Sequence, residues 1–355
     1  MTPKNKVEIF CCSNSIQLQL IYTGLRMLEE QGDLELSYQF YNYLQPAQAL
    51  EALAWPPNLL VRLNDSKLLL FDMNDNNELW QEDLGKVDFY FKRGFSAQEI
   101  GPELAYKKVF PFGLNYMVYE RHPGWFSLRR VPLEKTISQM IKSGIRTLGW
   151  LNWCSARNYR AHVGNLYAEP DPALPARVIF MTRLWDPAKY RGAGREITEA
   201  INEMRAACIR QLRQEFGPRF MGGLAPGGYM PPRFADCRLK EASQSYQGNY
   251  LRLLKQYPIA VASTGLANST GFKFAEYLAF SRAIVAEKLH YEAPGLEAGK
   301  HYLEFSSAEQ CVEAVSTLMN DELLRFKMME QAHAYYQEYL RPDVAVRRAL
   351  AIALA

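Results

Sequence analysis

Two stretches of the chain start with the same pattern, in which a short apolar run is followed by a loop and then by an amphipathic segment. The first pattern covers residues 7–30 and the second covers residues 177–216. A strand, a loop and a helix in this order are typical of α/β folds built on parallel sheets. Because 355 residues are enough for two domains with separate cores, the repeated pattern predicts an α/β chain with two domains.

The best candidate for a domain boundary lies between these two patterns. Residues 168–175 read Ala-Glu-Pro-Asp-Pro-Ala-Leu-Pro, with three prolines in the last six positions. Polar stretches rich in proline favour extended linkers over helices and strands. We therefore predict one domain over residues 1–168 and a second over residues 176–335.

The composition excludes several classes of protein. With 41 Lys and Arg against 38 Asp and Glu, the net charge of +3 is too small to predict nucleic acid as the main partner. The six cysteines include no Cys-x-x-Cys pair, so neither a disulfide framework nor a zinc ribbon is expected. No apolar run reaches the length of about 18 residues that a membrane span needs, and the first residues lack a signal-peptide pattern. We expect a cytoplasmic protein without a transmembrane span, and a peripheral membrane contact stays open.

The segment 259–305 places a loop of small residues, a lysine and a glutamate close together in the sequence. The loop ends in Ser-Thr-Gly at residues 269–271, and Lys273 and Glu276 follow in a predicted helix. This arrangement resembles the signature in the C-terminal half of group 1 glycosyltransferases of the GT-B architecture. Two residues that follow the first predicted strand of the second domain resemble the arginine and the lysine of the same family, namely Arg183 and Lys189.

The resemblance implies an α/β fold with two facing Rossmann-like domains of the GT-B type and an interdomain cleft. The N-terminal domain would lie on the acceptor side and the second domain on the nucleotide-sugar donor side. A last helix over residues 336–355 would pack back on the N-terminal domain. The implied activity is transfer of a sugar from a nucleotide-sugar donor to a saccharide or another hydroxyl acceptor, as in the synthesis of bacterial surface polysaccharides. A nucleotide-sugar epimerase or phosphorylase, and a non-catalytic protein that binds nucleotide sugars or glycans, stay open as alternatives.

The chemistry of a nucleotide sugar suits the residues of this motif. A loop of Gly, Ser and Thr that runs into a helix lets backbone N–H groups approach an anionic diphosphate, and cationic side chains can stabilise the departing phosphate. No Asp-x-Asp motif in the context of a metal site is present, so we expect transfer without a metal or another cofactor. The predicted donor-binding residues are Arg183, Lys189, Asn268, Ser269, Thr270, Gly271, Lys273 and Glu276.

The resemblance assigns separate roles to the two acidic positions of the family signature. Glu276 corresponds to the glutamate that pairs with the ribose hydroxyls of the donor, and a carboxylate can accept two such hydrogen bonds. The family has another glutamate eight positions earlier, where this chain has Asn268. Since an amide neither acts as a base nor carries a negative charge, the retaining mechanism of the family does not follow for this chain. The substitution is compatible with another donor sugar, an inverting reaction or a shifted alignment.

An inverting reaction requires a general base that deprotonates the acceptor hydroxyl. The sequence offers carboxylates near the end of a predicted strand over residues 67–71, where ligands bind in open α/β sheets, and a histidine in a later loop. The candidate catalytic residues are Asp72, which is the first choice, Asp75 and His122.

Overall fold

The computed structural model describes residues 4–11, 15–40, 58–79, 84–101, 108–119 and 161–355. The chain divides into two compact units. The first unit comprises the described parts of Met1–Asn165 together with Tyr291–Pro294 and Gln337–Ala355. The second unit comprises Leu166–His290 and Gly295–Tyr336.

The first unit is built on a six-stranded mixed sheet with the order β2-β1-β3-β4-β5-β6. Strand β3 is antiparallel to both of its neighbours, and the remaining neighbours are parallel. The turn between β3 and β4 contains Asn64 and Asp65 at φ values of 50° and 60°, a conformation that Asn and Asp tolerate and that closes antiparallel hairpins. The elements are β1 (Asn5–Cys11), α1 (Gln19–Glu30), β2 (Leu34–Phe40), β3 (Asn58–Leu63), β4 (Lys67–Asp72), β5 (Phe89–Lys92), α2 (Ala97–Ile100) and β6 (Val109–Pro111).

The last helix of the chain belongs to the first unit and packs against α1. At the contact, a Cβ on Gly24 would overlap the carbonyl of Pro342 and lie 2.6 Å from Val346 Cγ2. Gln31 Nε2 also donates a hydrogen bond of 3.0 Å to the buried carboxylate of Asp343. The close approach of the two backbones therefore depends on the glycine.

The second unit is a doubly wound α/β fold with a five-stranded sheet in the order β11-β10-β9-β7-β8. All neighbouring strands are parallel, and every residue of β7 and β9 is buried, as expected for strands that are covered on both faces. The elements are β7 (Val178–Thr182), α3 (Ala193–Phe216), β8 (Phe220–Leu224), α4 (Gln247–Gln256), β9 (Ile259–Ala262), α5 (Phe272–Ala279), β10 (Ala283–Glu287), β11 (Tyr302–Phe305), α6 (Ala308–Asn320) and α7 (Glu322–Tyr335); the last helix of the first unit is α8 (Pro342–Leu354).

The strand order of the second unit reverses between β7 and β9. These strands pair only at Val178 with Ile259 and at Ile179 with Ala260, although both strands continue beyond these pairs. In open α/β sheets, ligands bind outside the carboxyl ends of the strands at such a reversal. The carboxyl ends of β7 and β9 are therefore the place to look for a site.

The two sheets with their helices confirm the α/β class and the Rossmann-like character of the units. Among the helices in the described ranges, none has the length and hydropathy to cross a membrane.

Candidate functional site

A buried arginine joins the two loops that follow β7 and β9. Arg205 lies on α3 with 6% of its surface exposed. Its Nε donates a hydrogen bond of 3.0 Å to Ser263 Oγ, and its two terminal nitrogens donate to the carbonyl oxygens of Arg183 at 2.5 Å and Thr264 at 2.7 Å. Burial lowers the pKa of Arg205 to about 10, which leaves the guanidinium charged at neutral pH. Arg205 therefore fixes the distance between the loops and adds a positive charge beneath them.

The loop after β9 is also held from the side of β10. The backbone N–H of Thr264 donates to Glu287 Oε2 at 2.9 Å, and the hydroxyl of Thr264 donates to the same oxygen at 3.1 Å. Glu287 is the last residue of β10. Because Arg205 of α3 and Glu287 of β10 both hold this loop, its backbone is preorganised before any ligand binds.

The loop after β7 is fixed by a buried asparagine on α3. Asn202 donates from Nδ2 to the carbonyl of Trp185 at 2.7 Å, and its Oδ1 accepts from the N–H of Trp185 at 3.0 Å. The side chains of Arg183 and Lys189 in this segment are exposed. Lys189 lies in a short turn, Pro187–Lys189, that Asp186 caps.

The small-residue loop closes on itself before α5 begins. The N–H of Gly265 donates to the carbonyl of Ser269 at 2.8 Å, and a Cβ on Gly265 would lie 2.7 Å from Ser269 Oγ. Ala267 and Asn268 have φ values of 52° and 56°. Asparagine adopts this left-handed region more readily than most residues with a side chain, which gives a backbone reason for an amide at position 268. Gly271 then stands immediately before the first turn of α5.

A lysine, a glutamate and a tyrosine meet beside this loop. Lys273 lies in the first turn of α5 and Glu276 lies one turn later, and both are half-buried. The hydroxyl of Tyr250, on α4, donates to Glu276 Oε2 at 3.0 Å. Lys273 Nζ lies 4.0 Å from the centroid of the Tyr250 ring, within the range of a cation–π contact.

The electrostatics of this cluster favour an anion. Burial, together with the positive charges of Arg183 and Arg205, lowers the pKa of Lys273 to about 8 against the opposing effect of Glu276. Burial raises the pKa of Glu276, which Lys273 and the Tyr250 hydroxyl oppose. A bound anion would relieve the repulsion among the three cations. The structure thus brings together Arg183 and Lys273 with the added Arg205, at the start of a helix.

The candidate residues of the first unit have other surroundings. Asp72 is fully buried and accepts hydrogen bonds from the Tyr90 hydroxyl at 2.5 Å, Lys92 Nζ at 2.8 Å and the N–H of Asn74 at 2.9 Å. Lys92 is fully buried as well, and burial lowers its pKa. The role of Asp72 as a general base stays a prediction, and in this structure its carboxylate is engaged in a buried ion pair with Lys92.

Of the two other candidate bases, Asp75 lies within the described residues and His122 does not. Asp75 forms an ion pair with Arg93 and keeps about half of its side chain exposed. Among the described residues, no three His, Cys, Asp or Glu side chains are arranged to hold a metal ion.

The sequence analysis missed Arg205 and Tyr250. Arg205 follows Ile201 by four residues and precedes Cys208 by three, so it lies on the apolar face of α3. A charged residue on an apolar face is rarely buried without a partner. The position of Arg205 on that face was therefore the sequence signal that could have identified it. Tyr250 carries no comparable signal, because a buried tyrosine on an amphipathic helix is ordinary.

Comparisons with known proteins give matches in structure only. No protein-family model and no curated protein sequence matches the chain. Among the solved structures that match, the glycosyltransferase of Rickettsia africae is 12% identical over 94% of this chain and 80% of its own, with a TM-score of 0.43. HepE of Anabaena, solved in complex with UDP, is 12% identical over 98% of this chain and 99% of its own, with a TM-score of 0.40.

The third structure is longer than this chain. TarM of S. aureus is 12% identical over 77% of this chain, with a TM-score of 0.42, and the match spans 45% of the TarM chain, which is under half its length. The solved structures that this chain resembles are GT-B glycosyltransferases, the family whose signature residues 259–305 resemble. With identities near 12% and TM-scores below 0.5, these matches carry no conclusion on substrate, and the ligands named with them belong to those proteins.

Proposed function

We propose that this chain is a glycosyltransferase that binds a nucleotide-sugar donor at the carboxyl ends of β7 and β9. The observation that carries the proposal is a preorganised loop at the reversal of strand order, which Arg205 and Glu287 hold and which leads into the helix of Lys273. Ligands of doubly wound folds bind at this edge, and a helix that starts there favours phosphate groups.

Different residues of the site bind different parts of the donor. Lys273 and Arg183 bind the diphosphate together with the N-terminal end of α5, which Ser269, Thr270 and Gly271 precede. Glu276 accepts hydrogen bonds from sugar hydroxyls, for which a carboxylate has the acceptor capacity. Arg205 is too deeply buried for direct contact and acts by holding both loops.

The same cations would also stabilise the leaving group. When the bond between the anomeric carbon and the phosphate oxygen breaks, negative charge accumulates on the departing diphosphate. Lys273 and Arg183 stabilise this charge where other enzymes use a metal ion, so the proposed transfer is independent of a metal cofactor. The acceptor is a saccharide or another hydroxyl compound, and the proposed setting is the synthesis of bacterial surface polysaccharides in the cytoplasm.

A non-catalytic binding protein is the second candidate function, and Asn268 is the observation that favours it. The exposed amide at this position cannot carry the charge that would stabilise an oxocarbenium-like sugar. A transferase without that carboxylate needs a base elsewhere, and the candidate Asp75 is exposed but paired with Arg93.

The test of the proposal is a thermal-shift screen of nucleoside diphosphates and nucleotide sugars without added metal, followed by analysis of the products. A ligand that binds the folded state raises the melting temperature. We expect a shift for the parent and for Lys255→Met, which removes an exposed lysine of α4, and no shift for Lys273→Met. A shift of equal size in Lys273→Met, or none in the parent, would contradict the proposed site.

Product analysis then separates the activities. Slow release of free sugar and nucleoside diphosphate, or transfer to an added saccharide, supports a transferase. An isomerised donor identifies an epimerase instead. A donor that binds and is recovered unchanged with every acceptor supports the binding protein.

A further inference from the structure

Tyr250 contacts both charged side chains of the proposed donor site. Its hydroxyl donates to Glu276 Oε2 at 3.0 Å, while the face of its ring lies 4.0 Å from Lys273 Nζ. Tyr250 itself is 7% exposed and lies on α4, whereas Lys273 and Glu276 lie on α5. One side chain from a neighbouring helix thus reaches two groups of opposite charge.

Lys273 and Glu276 are spaced so that they could pair with each other, and the contacts of Tyr250 therefore matter for both. Residues three apart on a helix are neighbours, and opposite charges at that spacing attract each other. A lysine that pairs fully with a glutamate has little charge left for an anion, and the glutamate has fewer acceptor sites for hydroxyls. The Tyr250 hydroxyl draws the carboxylate to one side, and the ring offers the ammonium a partner that carries no negative charge.

We propose that Tyr250 is a positioning residue that keeps Lys273 and Glu276 apart, so that the ammonium serves the diphosphate and the carboxylate serves hydroxyl groups of the donor. This inference rests on the proposed function for the identity of the ligand. It does not rest on that function for the arrangement of the three side chains. The other groups that act on this pair are Tyr277 on α5, Arg183 after β7 and Arg205 on α3.

The proposal predicts a rescue that a merely structural role would not give. Tyr250→Phe keeps the ring and removes the hydroxyl, so Glu276 is released to pair with Lys273. Binding of inorganic pyrophosphate, which has an anionic group and no hydroxyl-bearing sugar, should weaken about tenfold, because a hydrogen bond to a charged group is lost and a competing ion pair is gained. Adding Glu276→Gln to Tyr250→Phe should restore the affinity to that of Glu276→Gln alone.

Calorimetry of the full chain measures these affinities, with Tyr246→Phe as the matched control. Tyr246 precedes α4 and is 61% exposed, so its hydroxyl can be removed without effect on the site. The inference is overturned if Tyr250→Phe binds pyrophosphate as the parent does, or if the double variant stays as weak as Tyr250→Phe.

A measurement without ligand separates failure of this inference from failure of the proposed function. NMR of isotopically labelled lysine gives the pKa of Lys273, and Glu276→Gln should lower this pKa more in the Tyr250→Phe background than in the parent background. If no diphosphate binds the parent, the proposed function fails, and the NMR comparison still decides the role of Tyr250. An equal effect of Glu276→Gln in both backgrounds contradicts that role.

Discussion

The most informative perturbation of the proposed donor site is a change of pH between 7 and 9. Lys273 has a pKa of about 8, below the ordinary value of 10.5, because it is half-buried near Arg183 and Arg205. Its protonated fraction is therefore roughly 0.9 at pH 7 and roughly 0.1 at pH 9. An anion binds the protonated form more tightly, so affinity is highest below pH 8 and is lost as the pH rises.

The size of the effect follows from these fractions. If only the protonated form binds the diphosphate, affinity for a nucleotide sugar falls about tenfold from pH 7 to pH 9. Binding also raises the pKa of Lys273, so protons are taken up on binding near pH 8. Isothermal titration calorimetry in buffers of different ionisation enthalpy measures both the affinity and this uptake.

The control is Lys273→Arg, whose guanidinium stays charged across the whole range. Any change with pH that this variant retains comes from the ligand or from other groups of the protein. A flat affinity of the parent from pH 7 to pH 9, or a fall of the same size in Lys273→Arg, would refute the assignment of Lys273 to the diphosphate.

Three further predictions concern residues that stabilise one unit or the other from within. Asp72→Asn leaves the buried Lys92 without its carboxylate partner and should lower the free energy of unfolding in urea by about 3–5 kcal/mol. The control Asp65→Asn, at an exposed ion pair, should change it by less than about 1 kcal/mol. Equal losses in the two variants would contradict the ion-pair argument. Gly24→Ala places a methyl group against the C-terminal helix and should cost about 1–3 kcal/mol in the same assay, whereas Gly85→Ala meets nothing within 4 Å and should be nearly neutral; a silent Gly24→Ala would show that the helix contact is not close. Arg205→Met removes three hydrogen bonds and should lower the melting temperature and donor affinity together, and unchanged affinity would separate Arg205 from the site.

Local sequence patterns indicate β7, β9 and β10 of the second unit because each is a short apolar run, whereas β8 contains Gly222 and Gly223 and lacks this pattern. The apolar residues 259–262 form β9, and the apolar run that begins the second pattern of the sequence forms β7 (Val178–Thr182). In the first unit, the strand predicted over residues 67–71 is one residue shorter than β4 (Lys67–Asp72). Val87 is also apolar, yet β5 begins at Phe89, because its beginning depends on which residues pair with β4.

The role of a charged residue is hard to predict from the sequence where its partner lies far away along the chain. Asp72 is the last residue of β4, and its buried partner Lys92 lies twenty positions later on β5. The spacing of Lys273 and Glu276 in one helix was visible in the sequence. Tyr250 and Arg205 reach that helix and its loop only through the packing of other helices, which no local pattern encodes.

Hydrogen–deuterium exchange with and without a saturating nucleoside diphosphate tests the location of the donor site most directly. The account predicts added protection of backbone amides in residues 183–189 and 263–276, where the loops after β7 and β9 and the start of α5 lie. The Lys273→Met variant should lose this protection under the same conditions. Protection confined to the described part of the first unit, or none in either segment of the second, would contradict the account.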